Sequence, residues 1–408
     1  MRFAVLVVVL AIAGTARADD RTPITFEQAL AAVANAPAAQ IGGREIAAAA
    51  ATEAAASAWP NPSLHVGTSR LTARVVASAA LPLPVFGTVG AAERAAAADA
   101  QVVRAEAGLA LRDLRHRVAV AWIELARAAA DATAQDVAAR QAAELQAIAE
   151  GRRAAGTGAD VDVTVAVAAR ARADVAASAG RRAEDAASAE LAGLLGWDPE
   201  RPLRADGALV TGPAGELAAL RGRLGAHPER TAAARRIAAA EAGVDQVRAQ
   251  RWPVLALEAE LDYDDASMTE GPTAWDRSDA RIGVALELPV FARLGDRARA
   301  AQATAAVQRA RLTALDAELG GRLAAAYRRW QAASERLTAM ERDVVPAQDR
   351  AAALSMQAYR EGARDLSSAL VAERDLAAAR AETNDARATA ARAFAELAQA
   401  VGEDVHAK

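Results

Sequence analysis

The stretch Leu83-Pro84-Val85-Phe86 returns as Leu288-Pro289-Val290-Phe291, each time after an alternating apolar segment and before a long alanine-rich run. Val290 follows Val85 by 205 residues, and the same spacing carries Arg117–Trp122 onto Arg322–Tyr327. Farther along, Gly156 and Gly196 are matched at a spacing of 206 by Gly362 and Gly402, while Trp59-Pro60 is matched at 193 by Trp252-Pro253. One unit of roughly two hundred residues has been copied with small insertions and deletions, which predicts a fold with internal pseudo-symmetry and excludes most enzyme folds.

Downstream of each Leu-Pro-Val-Phe the apolar period becomes helical. Leu111, Leu114, Val118, Ala121 and Leu125 are spaced three and four apart, and Leu312, Leu315, Leu319, Leu323 and Tyr327 repeat the theme. A continuous helix from Gly87 to Gly156, at about 1.5 Å per residue, reaches on the order of 100 Å. The expectation is a pair of coiled-coil-like pillars, the second bent at Pro346. Each turns at a glycine tip, Ala155-Gly156-Thr157-Gly158 and Arg360-Glu361-Gly362-Ala363, and returns as a helix to Gly196 or Gly402. Asp365 is placed to cap the second return. Val161, Val163, Val165 and Val167 alternate like a strand, but the Ala-Arg run after them predicts helix.

Upstream of the motif the pattern has period two. Leu255, Leu257, Ala259, Leu261 and Tyr263 alternate with Ala256, Glu258, Glu260 and Asp262; Ile282, Val284, Leu286 and Leu288 alternate with Arg281, Gly283, Ala285 and Glu287. One apolar and one polar face suit a strand between lipid and a watery lumen, or an ordinary half-buried sheet. Leu64, Val66 and Thr68, then Val75, Ala77, Ala79 and Leu81, give a weaker version about a turn near Ser69-Arg70. Four strands cannot close a membrane barrel, which needs about eight. Open edges are not tolerated in lipid, so a barrel requires several chains.

Each copy begins with short helices and a proline corner. Thr25 and Gln28 form a Thr-x-x-Gln capping box, the helix ends near Asn35-Ala36-Pro37, and a second helix runs through Ile46 to Trp59-Pro60. His227-Pro228 and a helix through Ile237 and Val244 to Trp252-Pro253 repeat this. Pro199 to Gly215 reads as a surface connection between the copies.

Composition and address agree with an exported helical protein. The chain is 53% hydrophobic but only 3% aromatic, so its apolar content is alanine, leucine and valine suited to close helix packing. A net charge of −4 gives no attraction to nucleic acid. Arg2, the apolar run Phe3 to Gly14 and Ala16-Arg17-Ala18 have the parts of a signal peptide cleaved near Ala18. Cysteine is absent, so neither a disulfide nor a lipid on cysteine is expected.

In order and duplication these motifs resemble the TolC-like outer-membrane factors, exit ducts of tripartite efflux and secretion systems. The residues that carry the resemblance are Ile24-Thr25-Phe26-Glu27-Gln28-Ala29-Leu30 with Asn35-Ala36-Pro37, the Trp-Pro pairs, the repeated Leu-Pro-Val-Phe, Tyr359-Arg360-Glu361-Gly362, and Leu194-Leu195-Gly196. The resemblance covers essentially the whole mature chain. It is nearest to the heavy-metal and RND-linked branches, and implies a mainly α protein whose four strands join a shared trimeric β-barrel in the outer membrane, above a helical tunnel in the periplasm.

The expected organisation is a signal peptide at 1–18, a first repeat at 19–205 and a second at 206–408. The β-hairpins are placed at about 62–84 and 254–289, and the helical hairpins at about 87–196 and 293–402. Partners implied are a homotrimer, outer-membrane lipid, a periplasmic adaptor at the tips and an inner-membrane pump, with the RND type favoured. Acidic residues past the tips narrow the periplasmic entrance in many family members; here the family positions hold Asp162 and Ser368, with Val371 three residues beyond the latter, so only Asp162 keeps the acid. A periplasmic adaptor is the rival reading, although it calls for one central hairpin rather than two preceded by strands. A type I secretion duct is another.

Histidines at 65, 116, 227 and 406 have no second His, Cys or paired carboxylates at ligand spacing, so neither metal nor cofactor is expected. No Ser-His-Asp or carboxylate constellation indicates an enzyme. Trp59 and Trp252 are candidate membrane-interface anchors. Glu258, Glu260, Asp262 and Glu287 form either a solvated lumen wall or a mildly cation-selective one. For adaptor docking the candidates are the tip residues Gly156, Thr157, Gly158, Arg360, Glu361, Gly362 and Arg364, and the backbone turns at Gly156, Gly158 and Gly362 weigh more than the arginines. Arg152, Arg153, Arg360 and Arg364 fit adaptor carboxylates or simply the negative ends of helices.

Overall fold

A computed structural model describes residues 21–68, 74–212, 215–264 and 277–403. The expected export signal, the turn at Ser69-Arg70, residues 265–276 and His406 lie outside these residues.

The first copy opens with β1 (Thr22–Thr25) and α1 (Phe26–Ala32), followed after a 3-10 turn by α2 (Pro37–Ala56). The capping box forms: the Gln28 amide donates to Thr25 Oγ1 at 3.2 Å, and the Thr25 amide donates to Gln28 Oε1 at 2.9 Å. Then come β2 (Ser63–Thr68), β3 (Arg74–Leu83), α3 (Thr88–Ala154) and α4 (Asp160–Leu195). The second copy repeats the order after β4 (Leu203–Asp206). It has α5 (Leu217–Arg223), a 3-10 turn, α6 (Pro228–Ala249), β5 (Val254–Asp264), β6 (Arg277–Glu287), α7 (Leu294–Ala339), α8 (Val345–Arg360) and α9 (Leu366–Val401). Proline opens both α2 and α6, where a missing N–H costs nothing. The alternating valines at 161–167 lie in α4, as the alanine-rich continuation predicts.

One element departs from expectation. Within the supposed plain connection 199–215, β4 pairs in parallel with β1, from Thr22↔Leu203 to Thr25↔Asp206. Two four-residue strands are too short to show a period, and their partners are far apart in the chain. The pair seals the main core, in which Phe26, Leu114, Val118, Trp122, Ile123, Leu191, Leu195 and Leu203 are buried together. The expected boundary between repeats, after residue 205, falls inside β4.

The two pillars differ in one turn. α3 is continuous over 67 residues, whereas its counterpart is interrupted by a five-residue π-helical turn, Met340–Val344, just before Pro346. The sequence spacing between copies is 205 before this point, at Trp122 and Tyr327, and 206 after it, at Gly156 and Gly362. A π turn holds one residue more than an α turn, so the extra residue is absorbed without rotating the helix beyond it. Leu337 before it, Met340 at its start, and Ala352, Met356 and Tyr359 after it all remain buried. α3 packs on both α4 and α9, which fuses the two hairpins, and α9 contributes many of its alanines to that seam. Alanine permits close helix approach and loses no side-chain entropy. Among the described residues no helix is long and apolar enough to cross a membrane.

Candidate functional site

The strands form one antiparallel sheet in the order β2-β3-β5-β6, so β3 and β5 join the two copies and β2 and β6 are its edges. Register brings like residues together. Leu83↔Leu255, Leu81↔Leu257, Ala79↔Ala259 and Ala77↔Leu261 continue across β6 as Leu286, Val284, Ile282 and Ala280. Because side chains alternate, this whole row forms one apolar face. Its members on β6 are exposed, Val284 at 66% and Ile282 at 83%, while those on β3 are half-buried, so the apolar surface is largest at the β6 edge.

The opposite face is polar. Ser78, Glu260 and Arg281 lie in one cross-strand row, and His65 joins it through Ser78. Glu258 faces Ala80 and Gly283, and Asp262 faces Val76. Arg281 lies 3.6 Å from Glu260. Glu287 ends β6 opposite Val254, on the same face as the others. All four predicted acids therefore share a surface. His65 belongs to it as well, a placement that needed the register of β2 on β3.

At the base of the sheet both Leu-Pro-Val-Phe segments make the same tight turn. The Val85 amide donates to the Leu83 carbonyl at 2.9 Å, and Val290 to Leu288 at 2.8 Å. Phe86 stacks on Trp252 with ring centroids 5.7 Å apart and planes 10° from parallel. Trp59 and Trp252 both remain exposed at the start of their hairpins, where an amphipathic ring suits a membrane interface.

At the other end the tips share a small core of Leu145, Ala149, Ala166, Met356, Tyr359, Leu366 and Ala369. Gly156 and Gly362 have φ of +73° and +76°, the left-handed conformation the tip turns need. Gly158 is required for a different reason: a Cβ there would lie 2.8 Å from the Arg153 backbone nitrogen. The Thr157 and Gly158 amides both donate to the Arg152 carbonyl, just as those of Ala363 and Arg364 donate to Ala358.

The tip arginines are largely committed within the chain. The Arg152 guanidinium donates to the Tyr359 carbonyl and sits 5.0 Å over the Tyr359 ring, clasping the two hairpins. Arg153 pairs with Asp160 at 2.6 Å, and Arg360 pairs with Glu144. Arg364 is exposed and has no side-chain hydrogen bond or ion pair among the described residues. The Glu361 carboxylate accepts from the Gln357 side-chain amide, Nε2, at 2.9 Å. Sequence reasoning named Arg152 but could not supply a partner from the other repeat.

Asp162 lies in the first turn of α4, half-buried, near Tyr359. Burial, and then the Asp162 charge, push the Tyr359 hydroxyl above its usual pKa. Ser368 occupies the matching place in α9, but its hydroxyl and its amide both donate to Asp365, the N-cap. Hydrogen bonds from the Ser367 and Ser368 hydroxyls hold the Asp365 carboxyl below the usual carboxylate range. Among the described residues, no three His, Cys, Asp or Glu side chains gather where they could hold a metal ion.

A family model described as outer membrane efflux protein matches residues 223–403. Comparison with curated proteins gives no match. Among solved structures the chain is similar to the outer membrane protein VceC of Vibrio cholerae, at 20% identity and a TM-score of 0.74, over 93% of this chain and 96% of that one. It is also similar to CusC, at 16% identity and 0.76 over 93% and 92%. A third likeness is to the CmeC outer membrane channel of Campylobacter jejuni, at 13% and 0.73 over 92% and 85%. The second half of the chain thus matches the outer membrane efflux protein family model, and over nearly its whole length the chain has the fold of these solved outer-membrane proteins.

Proposed function

We propose that three copies of this chain assemble into a passive outer-membrane exit duct, fed by a periplasmic adaptor and an inner-membrane pump. The observation that carries this reading is the four-stranded sheet, apolar on one face and acidic on the other, with both edges open. In lipid such edges must be paired, and three copies would supply twelve strands, within the range of closed barrels. The pillars, on the order of 100 Å long, are suited to cross the periplasm. The expected address is the outer membrane, after removal of a signal peptide near Ala18.

The duct performs no covalent chemistry, and its transport is driven by the pump. An RND-type pump is favoured by the family resemblance, and the cargo is small molecules or metal ions. At the tips, Thr157, Glu361 and Arg364 are exposed around the glycine turns, which favours them as the adaptor's contacts. Asp162 is the candidate for the periplasmic constriction, while Ser368 serves its own helix cap.

Purified full-length protein inserted into a planar lipid bilayer is expected to conduct ions with a preference for cations. Glu258→Gln with Glu287→Gln should move the reversal potential in a salt gradient toward zero, because both acids lie on the polar face of the sheet. Inserted protein without current would contradict the duct; unchanged selectivity in the variant would contradict the lumen assignment.

A further inference from the structure

The seam between the two repeats inside one chain is a template for the seam between neighbouring chains. The spacings of 205 and 193 convert each repeat into the other, and they can be checked within the sheet. They carry Ser63↔Ala80 onto Ala256↔Ala285 and His65↔Ser78 onto Glu258↔Gly283, and both converted pairs occur in the structure. Applied to β3 on β5, the same conversion gives β6 on β2 of another copy. Leu81↔Leu257 becomes Leu286↔Leu64, Ala79↔Ala259 becomes Val284↔Val66, and Ala77↔Leu261 becomes Ile282↔Thr68. Every converted pair keeps its apolar face in register with the rest.

The ring stack converts too. Phe86 on Trp252 becomes Phe291 on Trp59, and in the single chain Phe291 is 94% and Trp59 65% accessible, against 40% for Phe86. We infer that Phe291 of one chain stacks on Trp59 of a second copy, closing an aromatic clasp beneath a β6–β2 strand pair in the register Val284↔Val66. The occupant of both open edges is this same chain, because the complementary halves of the contact are present on its two edges and are held apart within it. The clasp makes each barrel seam, within and between chains, end on one Phe–Trp stack.

This inference rests on the duct reading, and one experiment separates the two. The chain has no cysteine, so the pair Val66→Cys with Val284→Cys introduces the only thiols. Facing strands bring paired Cα atoms to about 4.5–5.5 Å, within disulfide range. Outer membranes treated with a membrane-permeant oxidant should then give covalent dimers and trimers on a boiled, non-reducing gel. Val66→Cys with Leu288→Cys, displaced by about 13 Å along the strand, should not.

Linkage by the displaced pair, or by neither pair while the unboiled oligomer persists, would overturn the register and leave the duct standing. Absence of an oligomer in the unsubstituted protein would overturn both. For the clasp, Phe291→Ala and Trp59→Ala should each lower the temperature at which the unboiled oligomer dissociates, and the double variant should fall no further than the worse single one. Fully additive losses would overturn the stack.

Discussion

Deleting Ala138 from α3 is expected to unravel the tip end of the first hairpin, whereas deleting Asp343 together with Pro346→Ala should leave the second hairpin packed. A residue removed from an α-helix turns everything beyond it by about 100°. In α3 this takes Ala142, Leu145 and Ala149 out of the seam and withdraws Arg152 from Tyr359. Exposing a side chain such as Leu145 costs about 1.5–3 kcal/mol. In the second pillar the π turn at Met340–Val344 already carries one residue beyond the α count, so removing Asp343 returns it to regular α-helix with the buried faces unmoved. Pro346 must change with it, because a proline inside regular helix costs about 3 kcal/mol. Limited proteolysis should cut the first variant near the tips within the time that leaves the second whole. Equal cleavage of both would contradict the account of the π turn.

Trp122→Ala should destabilise the chain by about 3–5 kcal/mol, the usual cost of emptying a buried aromatic site. Trp122 is fully buried, meets Phe26 edge-on at a centroid distance of 5.3 Å, and donates its indole N–H to the Ile24 carbonyl at 3.0 Å. Its loss opens a cavity beneath α1 and leaves a buried carbonyl unsatisfied, loosening β1 from β4. Tyr327, its counterpart at the spacing of 205, is only half-buried and packs on Trp330 at the rim of a smaller core. Tyr327→Ala should therefore cost markedly less. Melting of the unboiled oligomer measures both; equal shifts would show that the cores of the two repeats carry equal weight.

The features legible in the sequence were those with a local period or a local partner. Alternation in Leu255–Tyr263 identified β5, the threonine and glutamine three residues apart in chain identified the cap of α1, and the tip glycines marked both hairpin turns. The duplication itself was visible because four residues recur intact. Even the π turn left a trace, in the step from 205 to 206 between matched residues, although the proline alone suggested only a bend.

What local reasoning missed was contact between distant segments. β1 and β4 are four residues each and become a pair only through α1, α3 and α4 packing around them. Arg152 reads as a basic residue at a helix end, and nothing near it in sequence specifies that its guanidinium reaches the carbonyl of Tyr359 in the other repeat. Phe86 and Trp252 each belong to a recurring motif, yet their stacking depends on β3 lying beside β5. The polar face of the sheet was half legible: its acids alternate in β5, but His65 joins them only once β2 is registered on β3.

In the proposed duct, two inequivalent repeats per chain close a barrel only when chains combine. The native mass of the detergent-extracted protein, taken from a separated outer-membrane fraction, reads this out. A single species with three times the mass of one mature chain is expected. A one-chain species, or recovery of the protein in the soluble periplasmic fraction, would contradict it.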